Sequence, residues 1–369
     1  MLYVTKFESD ATKSYTRCAL HWIKALQTQT VNFELRPLDT VLDWSRMPVW
    51  AQPLKDYFSS SHSDNGCALV HALPTDLVAT RLYKSKNISI GVTALETTRL
   101  PLWVGAALNE SYRGLIVPSQ FNKDALLRSG VEIPIEVVPH ALGDWWLSDA
   151  PQPPAEKDPG VYTFGYVGYW NARKNPQMVL DAYVEAFPEP RTDTALLLKT
   201  SGSPQIAEDI AARDDIWLYT DDWTESQMLW AFELMDCFVS AHRGEGFGLA
   251  LAQAAAKGKP VVYTDYSAPR EWLNTNGHYP LRAEVTEVTE SETLLSGTLS
   301  GKGLQWGTPD KAQLVAMFRE LAQRRPRRGF SDADLSNFRS ALTWEAVGAR
   351  MVQAVESILG KPLQRREVK

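Results

Sequence analysis

The chain has 369 residues, 44% of them hydrophobic and 22% charged, with a formal net charge of -6. That length exceeds what one core usually covers and points to two domains of a folded globular protein, while the negative charge argues against a uniformly basic nucleic-acid-binding surface. No segment approaches the ~20 apolar residues that span a bilayer, the amino-terminal Met1 to Asp10 meets an acid where a signal peptide would continue its apolar run, and Cys18, Cys67 and Cys237 have neither disulfide-framework nor metal-ligand spacing, so a cytoplasmic protein without a transmembrane segment is expected.

In chain order, apolar strand-type runs at Leu2 to Val4, Ala68 to His71, Ile88 to Val92, Leu115 to Val117 and Ile135 to Val138 alternate with helix-compatible stretches such as Thr16 to Gln27 and Lys123 to Arg128. Asp149 to Gly160, rich in proline and polar residues, reads as a linker. The alternation then returns, with strands at Tyr162 to Val167, Ala195 to Lys199, Ile216 to Tyr219, Cys237 to Ser240 and Pro260 to Tyr263. Helices are predicted between them at Pro176 to Phe187, Glu225 to Leu234 and Leu249 to Lys257. Asn274 to Gly307 fits neither period and reads as a long insertion loop, and a last helix is predicted over Thr343 to Leu359. Two βα halves, 1–150 and 151–340, predict an α/β protein with two Rossmann-like, doubly wound sheets facing across a cleft, and ligands where strand C-termini open toward it.

Ser240-Ala-His-Arg-Gly-Glu-Gly-Phe-Gly-Leu249 places Glu245 and three glycines at the mouth of a helix. Unpaired N–H groups and the positive end of the helix dipole bind anions there, and Gly244, Gly246 and Gly248 allow close backbone approach. Like charges repel, so an acid beside a diphosphate suits hydroxyls of an attached group better than the phosphate itself, which suggests a nucleotide sugar. A glycine-rich turn is also an ordinary cap, so this block alone leaves both readings open. A second anion site follows the first strand of the second half: Gly168 permits a tight turn, and Arg173 and Lys174 stand just before Pro176, which is suited to begin a helix. Both loops follow strands of the same half, whose C-terminal ends share one sheet edge.

Together these residues resemble the retaining glycosyltransferases of GT-B fold, of the large group-1 (family 4) type, whose signature is E-G-F-G-L-x-x-x-E-A-x-A-x-G-x-P-V. The chain reads Glu245-Gly-Phe-Gly-Leu-Ala-Leu-Ala-Gln253-Ala-Ala-Ala-Lys-Gly258-Lys-Pro260-Val261. Gly168 to Pro176 resembles the family's phosphate loop, Thr264 to Ser267 with Glu271 follows the next strand as in relatives, and Ala94 to Pro101, Val117 to Phe121 and Val138 to Ala141 resemble its acceptor-domain segments. The resemblance implies that Glu245 contacts donor-sugar hydroxyls, that the backbone amides of Phe247, Gly248 and Leu249 hold the distal phosphate, with Gly246 also on the donor side, and that Arg173 and Lys174 neutralise the leaving diphosphate. It implies that the last helix, about 343–360, returns to the first domain. It also implies attack and departure on one face of the sugar, with the departing phosphate taking the acceptor proton.

The chain departs from the pattern at three places. Gln253 replaces the second glutamate, which grips the ribose; an amide still offers it a donor and an acceptor. Tyr169 stands where many relatives have Arg, and Ala141 replaces a usual glycine beside His140. Tyr219 and Thr220, at a strand end, are candidates to border the nucleobase, and His242 is a candidate phosphate or acceptor contact or a brace for its loop. Glu96, His71 and His140 are candidates on the acceptor side, with Glu96 also a catalytic candidate.

No metal or other cofactor is predicted, the nucleotide-diphosphate sugar being a co-substrate: two cations and a helix N-terminus can stand in for a divalent ion, and there is no H-E-x-x-H or His/Cys cluster. Asp332-Ala-Asp334 resembles the metal-binding D-x-D of another glycosyltransferase fold, but its place near a predicted helix start favours capping. The sequence leaves the acceptor open among glycan, lipid-linked sugar, small molecule, protein and hydroxymethylated DNA base, the last disfavoured by net charge. It also leaves open an epimerase or hydrolase on the same fold and a non-catalytic nucleotide-sugar-binding module.

Overall fold

The structure is a computed structural model and describes residues 1–5, 14–37, 44, 47–57, 67–79, 89–149, 157–202, 204, 206–289 and 303–364. Most of the linker-like segment, 150–156, lies outside the described residues. The chain divides into two compact units, Met1–Gly143 with Leu294–Leu304 and Ser340–Lys369, and Asp144–Thr293 with Gln305–Arg339.

In the first unit the elements are β1 Leu2–Thr5, α1 Ser14–Gln27, β2 Glu34–Pro37, β3 Ala68–His71, α2 Pro74–Ala79, β4 Ser89–Val92, α3 Leu102–Ser111, β5 Gly114–Val117, α4 Gln120–Arg128 and β6 Ile135–Val137. The strands form a parallel sheet in the order β2-β1-β3-β4-β5-β6. Strands β3 and β5 are buried at every position, as runs covered on both faces must be. The chain reverses direction across the sheet between β1 and β3, where Thr5 pairs with His71. Ser119 caps α4 through its hydroxyl, which accepts the Asn122 N–H at 3.2 Å.

The second unit follows with α5 Asp144–Leu147, β7 Tyr162–Tyr169, α6 Pro176–Ala186, β8 Thr194–Ser201, α7 Glu208–Ala211, β9 Ile216–Tyr219, α8 Glu225–Leu234, β10 Cys237–Ser240, α9 Leu249–Ala256, β11 Val261–Thr264, α10 Pro269–Leu273, β12 Tyr279–Leu281, β13 Ala283–Glu287, β14 Gln305–Pro309, α11 Lys311–Arg324 and α12 Asp332–Ala341. Its parallel sheet runs β12-β11-β10-β7-β8-β9. Strands β7, β8 and β9 are laid down one way and β10, β11 and β12 the other, so the point of reversal falls between β7 and β10. At such a point two loops diverge from the C-terminal edge and leave a crevice. Helices α6 and α11 pack together, and Phe164 on β7 meets Phe318 edge to face at 4.8 Å and Tyr183 at 6.5 Å. After α12 the chain returns to the first unit through α13, Trp344–Leu359, which packs on α1; a side chain at Gly348 would strike the Ala25 carbonyl, so the two helices approach closely there.

One sequence expectation changes, the insertion loop, and one is refined, the start of α12. The segment 274–307, read as an insertion loop, contributes β12 to the sheet and contains β13, which pairs with β14 as an antiparallel hairpin. The cap of α12 is Ser331, whose hydroxyl accepts the Asp334 N–H at 3.1 Å and donates to Asp334 Oδ2 at 2.7 Å, while Asp332 pairs with Arg328. All three cysteines are buried free thiols.

Candidate functional site

The loops after β7 and β10 meet where the second sheet reverses. Asn175 opens α6 in the left-handed region, φ 54°, ahead of Pro176. Its side chain leaves the helix end uncapped and donates instead to the Ala241 carbonyl at 3.0 Å, across to the other loop. The Arg243 N–H donates to the Arg173 carbonyl at 2.7 Å, and Arg173 Nη1 donates to the Gly244 carbonyl at 2.8 Å. The two segments, remote in sequence, are thus tied by backbone and side chain together.

Glu245 lies at the centre of this tie. It is 5% exposed, its Oε1 accepts from Lys174 Nζ at 2.5 Å, and its Oε2 stands 3.5 Å from Arg173 Nη1. Burial alone would push the carboxyl pKa up, but Lys174, Arg173 and His242 outweigh it and hold the group down at about 2, fully ionised at neutral pH. Its main chain is fixed as well: the N–H donates to Ser267 Oγ at 3.0 Å and the carbonyl accepts from the Ala268 N–H at 3.3 Å. Ser267 holds φ 63°, an uncommon conformation for a residue with a side chain. The structure therefore brings Arg173, Lys174 and Glu245 into one cluster. Arg173 is buried and serves the loop carbonyl as well as the acid, whereas the Lys174 side chain keeps 19% exposure.

Gly246, Phe247 and Gly248 lead into α9. Gly248 sits at φ 87° as its N-cap residue, where a side chain would be strained and would press on the Pro269 ring at 3.0 Å. Phe247 is buried with its ring 5.8 Å from Trp272. Leu249 begins α9, and the opening N–H groups of a helix have no partner within it. Gln253, one turn beyond Leu249, is 4% exposed on a helix buried almost all round. A side chain at Gly168 would collide with the Tyr166 hydroxyl, which donates to the Tyr169 carbonyl at 3.4 Å; Tyr169 itself is 46% exposed. His242 is wholly buried beside the cluster, and burial lowers its pKa to about 4, with Lys174 and Arg173 acting the same way and Glu245 opposing them.

Tyr219, at the end of edge strand β9, packs 4.8 Å from Trp223 and 6.3 Å from Trp230; Thr220 beside it is exposed. Lys199, ending toward the same group from β8, holds its ammonium 5.3 Å from the Trp223 ring and donates to the Thr200 carbonyl at 2.9 Å. Tyr219 and Thr220 are thus two strands away from β7 and separate from the Glu245 cluster.

In the first unit, His71 ends β3 at the reversal of its own sheet. It is 2% exposed and hydrogen-bonds Tyr3 at 3.1 Å, with Trp22 at 5.1 Å. His140, after β6, lies 4.5 Å from the same Trp22 ring, and burial holds its pKa down at about 3. Both are set in an aromatic nest. Glu96 is half-buried in the loop after β4, which Asn122 pins by donating to the Leu95 carbonyl at 2.9 Å and accepting the Leu95 N–H at 3.1 Å.

Sequence reasoning overlooked Asn122, Asn175 and Arg243 as organisers of these loops. Asn175-Pro176 carried a helix-start signal; the long-range partners carried none. Among the described residues, no group of three or more His, Cys, Asp or Glu side chains is placed to hold a metal ion, and no helix is long and apolar enough to cross a membrane.

Residues 161–291, from β7 through β13, match the family described as Glycosyl transferases group 1. Among solved structures, the chain is similar to a sucrose-phosphate synthase from Thermosynechococcus elongatus, at 14% identity and TM-score 0.66, over 97% of this chain and 99% of that one. It is similar to HepE of Anabaena in complex with UDP and glucose, at 10% identity and TM-score 0.61, over 96% and 99%. Likeness to TarM, at 14% identity and TM-score 0.51, covers 81% of this chain and 54% of that one, so the chain spans about half of TarM's length. No curated protein matches the chain by sequence. At these identities the structures show the fold, which is GT-B with two Rossmann-like units, and with the family match they support a glycosyltransferase.

Proposed function

We propose that the protein is a retaining, metal-independent glycosyltransferase that moves a sugar from a nucleotide-diphosphate donor to a hydroxyl acceptor. The observation that carries this reading is a fully ionised, buried carboxylate, Glu245, held between two cations at the point of sheet reversal and at the mouth of α9. The diphosphate takes Lys174, the N–H groups opening α9 and the field of Arg173. Glu245, released from Lys174, accepts from sugar hydroxyls. Gln253 faces the ribose, and Tyr219 and Thr220 border the base.

Preorganised cations aimed at a leaving diphosphate stabilise the charge that develops on it without reorganising at the moment of reaction. The departing phosphate oxygen then takes the proton of the attacking hydroxyl on the same face of the sugar, which retains configuration. The first unit supplies the acceptor side through Glu96, His71 and His140. HepE was seen with UDP and glucose, which fits a donor of this class here. Three buried free thiols fit a reducing cytoplasm.

The test is a thermal-shift screen of UDP-, GDP-, ADP- and TDP-sugars, since saturation at 100 times Kd adds about 2.7 kcal/mol to apparent stability. The stabilising donor is then offered to hydroxyl acceptors with and without a chelator, and the anomeric configuration of the product is read by NMR. Retained configuration with chelator-insensitive turnover is expected. Inverted product or loss of turnover with chelator overturns the mechanism; release of free sugar at full rate without acceptor makes the protein a hydrolase, and tight binding without turnover a binding module.

A further inference from the structure

His242 is wholly buried, and neither Nδ1 nor Nε2 has a hydrogen-bond partner. A buried polar group left in that state costs stability. The imidazole does not brace its own loop by hydrogen bonding: the residues on either side are tied by backbone groups, Ala241 to the Asn175 amide and Arg243 to the Arg173 carbonyl. The charged groups that act on the ring are Glu245, Lys174 and Arg173, the same three that form the cluster.

His278 provides the contrast. Both its nitrogens are also unpartnered, but it immediately precedes β12, at the opposite edge of the sheet, and packs on Phe330 at 4.4 Å with burial as the sole influence on its charge. Among the described residues, only His242 combines two unpaired nitrogens with the charge cluster at the sheet's reversal.

A neutral imidazole is one donor and one acceptor. Burial and the two cations keep His242 neutral, with a pKa of about 4. A phosphate oxygen can answer only the donor nitrogen, and phosphate already has two cations to meet. Sugar hydroxyls can answer both nitrogens, and one hydroxyl can donate to Glu245, which only accepts, while accepting from the imidazole N–H. The geometry points to His242 as a specificity-determining residue that reads hydroxyls of the transferred sugar beside Glu245, donating from one ring nitrogen and accepting at the other. This rests on the donor-site reading of the cluster and names which part of the donor the residue recognises.

The test compares, by calorimetry, a nucleoside diphosphate with the corresponding nucleotide sugar from the donor screen. His242→Phe is expected to keep its diphosphate affinity within about twofold and to lose tenfold or more for the nucleotide sugar, about 1.4 kcal/mol. His242→Gln, which retains a donor and an acceptor, recovers part of that loss, and His278→Phe binds both ligands as the wild type does. The free His242→Phe protein melts at the same temperature or higher, since an unpaired polar group has been removed. Removal of a recognised hydroxyl from the donor abolishes the difference between wild type and His242→Phe.

Equal loss for both ligands, or loss for neither, overturns the assignment. So does a wild-type preference for the nucleotide sugar that grows as pH falls from about 8 to 5.5, because a protonated ring would then be the binding form. If His242→Phe does not fold, His242→Gln decides by the same split between ligands. Wild-type protein that binds neither ligand refutes the donor site itself, an outcome distinct from loss confined to the variant.

Discussion

Among the described residues of the second unit, two buried clusters of opposite charge stand in contrast, one before β9 and one after β7 and β10. Before β9, Arg213 grips Asp215 with two bonds at 2.8 and 2.9 Å, and its remaining donors reach the carbonyls of Phe187, Pro188 and Glu189; Asp215 also accepts from the Tyr183 hydroxyl and the Arg191 N–H. At the other edge Lys174 and Arg173 converge on Glu245 with an unpartnered His242 beside them. The first cluster consumes its hydrogen-bonding capacity in joining α6 and β8 to β9. The second leaves capacity over, on the edge where ligands enter such sheets. A buried ion pair is thus no sign of function by itself; what separates these two is completeness and position.

Substitutions should divide the clusters accordingly. The largest effect is expected from Asp215→Ala, which strands a guanidinium with 7% exposure and should cost about 3–5 kcal/mol in chemical denaturation; a shift no larger than that of a surface substitution would break the contrast. Next, Glu245→Ala should lower turnover well over tenfold, a barrier increase above about 1.4 kcal/mol, in a chain that still folds, since Arg173 keeps the Gly244 carbonyl and Lys174 can turn to water. Unchanged activity would remove Glu245 from the sugar. Arg173→Ala with Lys174→Ala should weaken nucleoside diphosphate binding, and equal affinity by calorimetry would reject the phosphate role. Gly248→Ala, forced to φ 87° against Pro269, should destabilise by roughly 1 kcal/mol, read as a lower melting temperature.

The smallest effect concerns pH. The Glu245 carboxyl lies at about 2 in the folded chain against a reference of 4.5, so its ionisation stabilises the fold above pH 4.5 and that contribution fades as pH falls toward 2. The stability gap between wild type and Glu245→Gln should therefore be level from neutral pH to about 4.5 and shrink below it. A gap that widens on acidification would reverse the sign.

Much of this was legible in the sequence where local chemistry and global fold agree. Glu225–Leu234 could be read to the residue because Thr224 and Gln227 form a reciprocal cap, and Cys237–Ser240 because a strand buried on both faces is a short continuous apolar run. The segment around β12 and β13 was not, since Tyr279–Leu281 buries one residue of three and Ala283–Glu287 buries none, which erases the period of two. At the site, Glu245 and the Arg173-Lys174 pair stood out through residue type and spacing. That Arg173 also holds the Gly244 carbonyl, or that both nitrogens of His242 lack partners, depends on groups brought together by folding, and no local pattern encodes it. His71 and His140 show the converse: strand-end position was readable, the surrounding tryptophan and tyrosines were not.

Ser267 makes the loop of Glu245 narrow in what evolution can explore. Its hydroxyl takes the Glu245 N–H while its backbone sits at φ 63°. Glycine would relax the backbone and lose the acceptor, alanine would lose the acceptor and keep the strain, and β-branched threonine would keep the acceptor at greater strain. A saturation library selected for activity should be depleted at this position as severely as at Glu245, so the mutational tolerance of the loop is set partly by a residue whose hydroxyl serves the main chain.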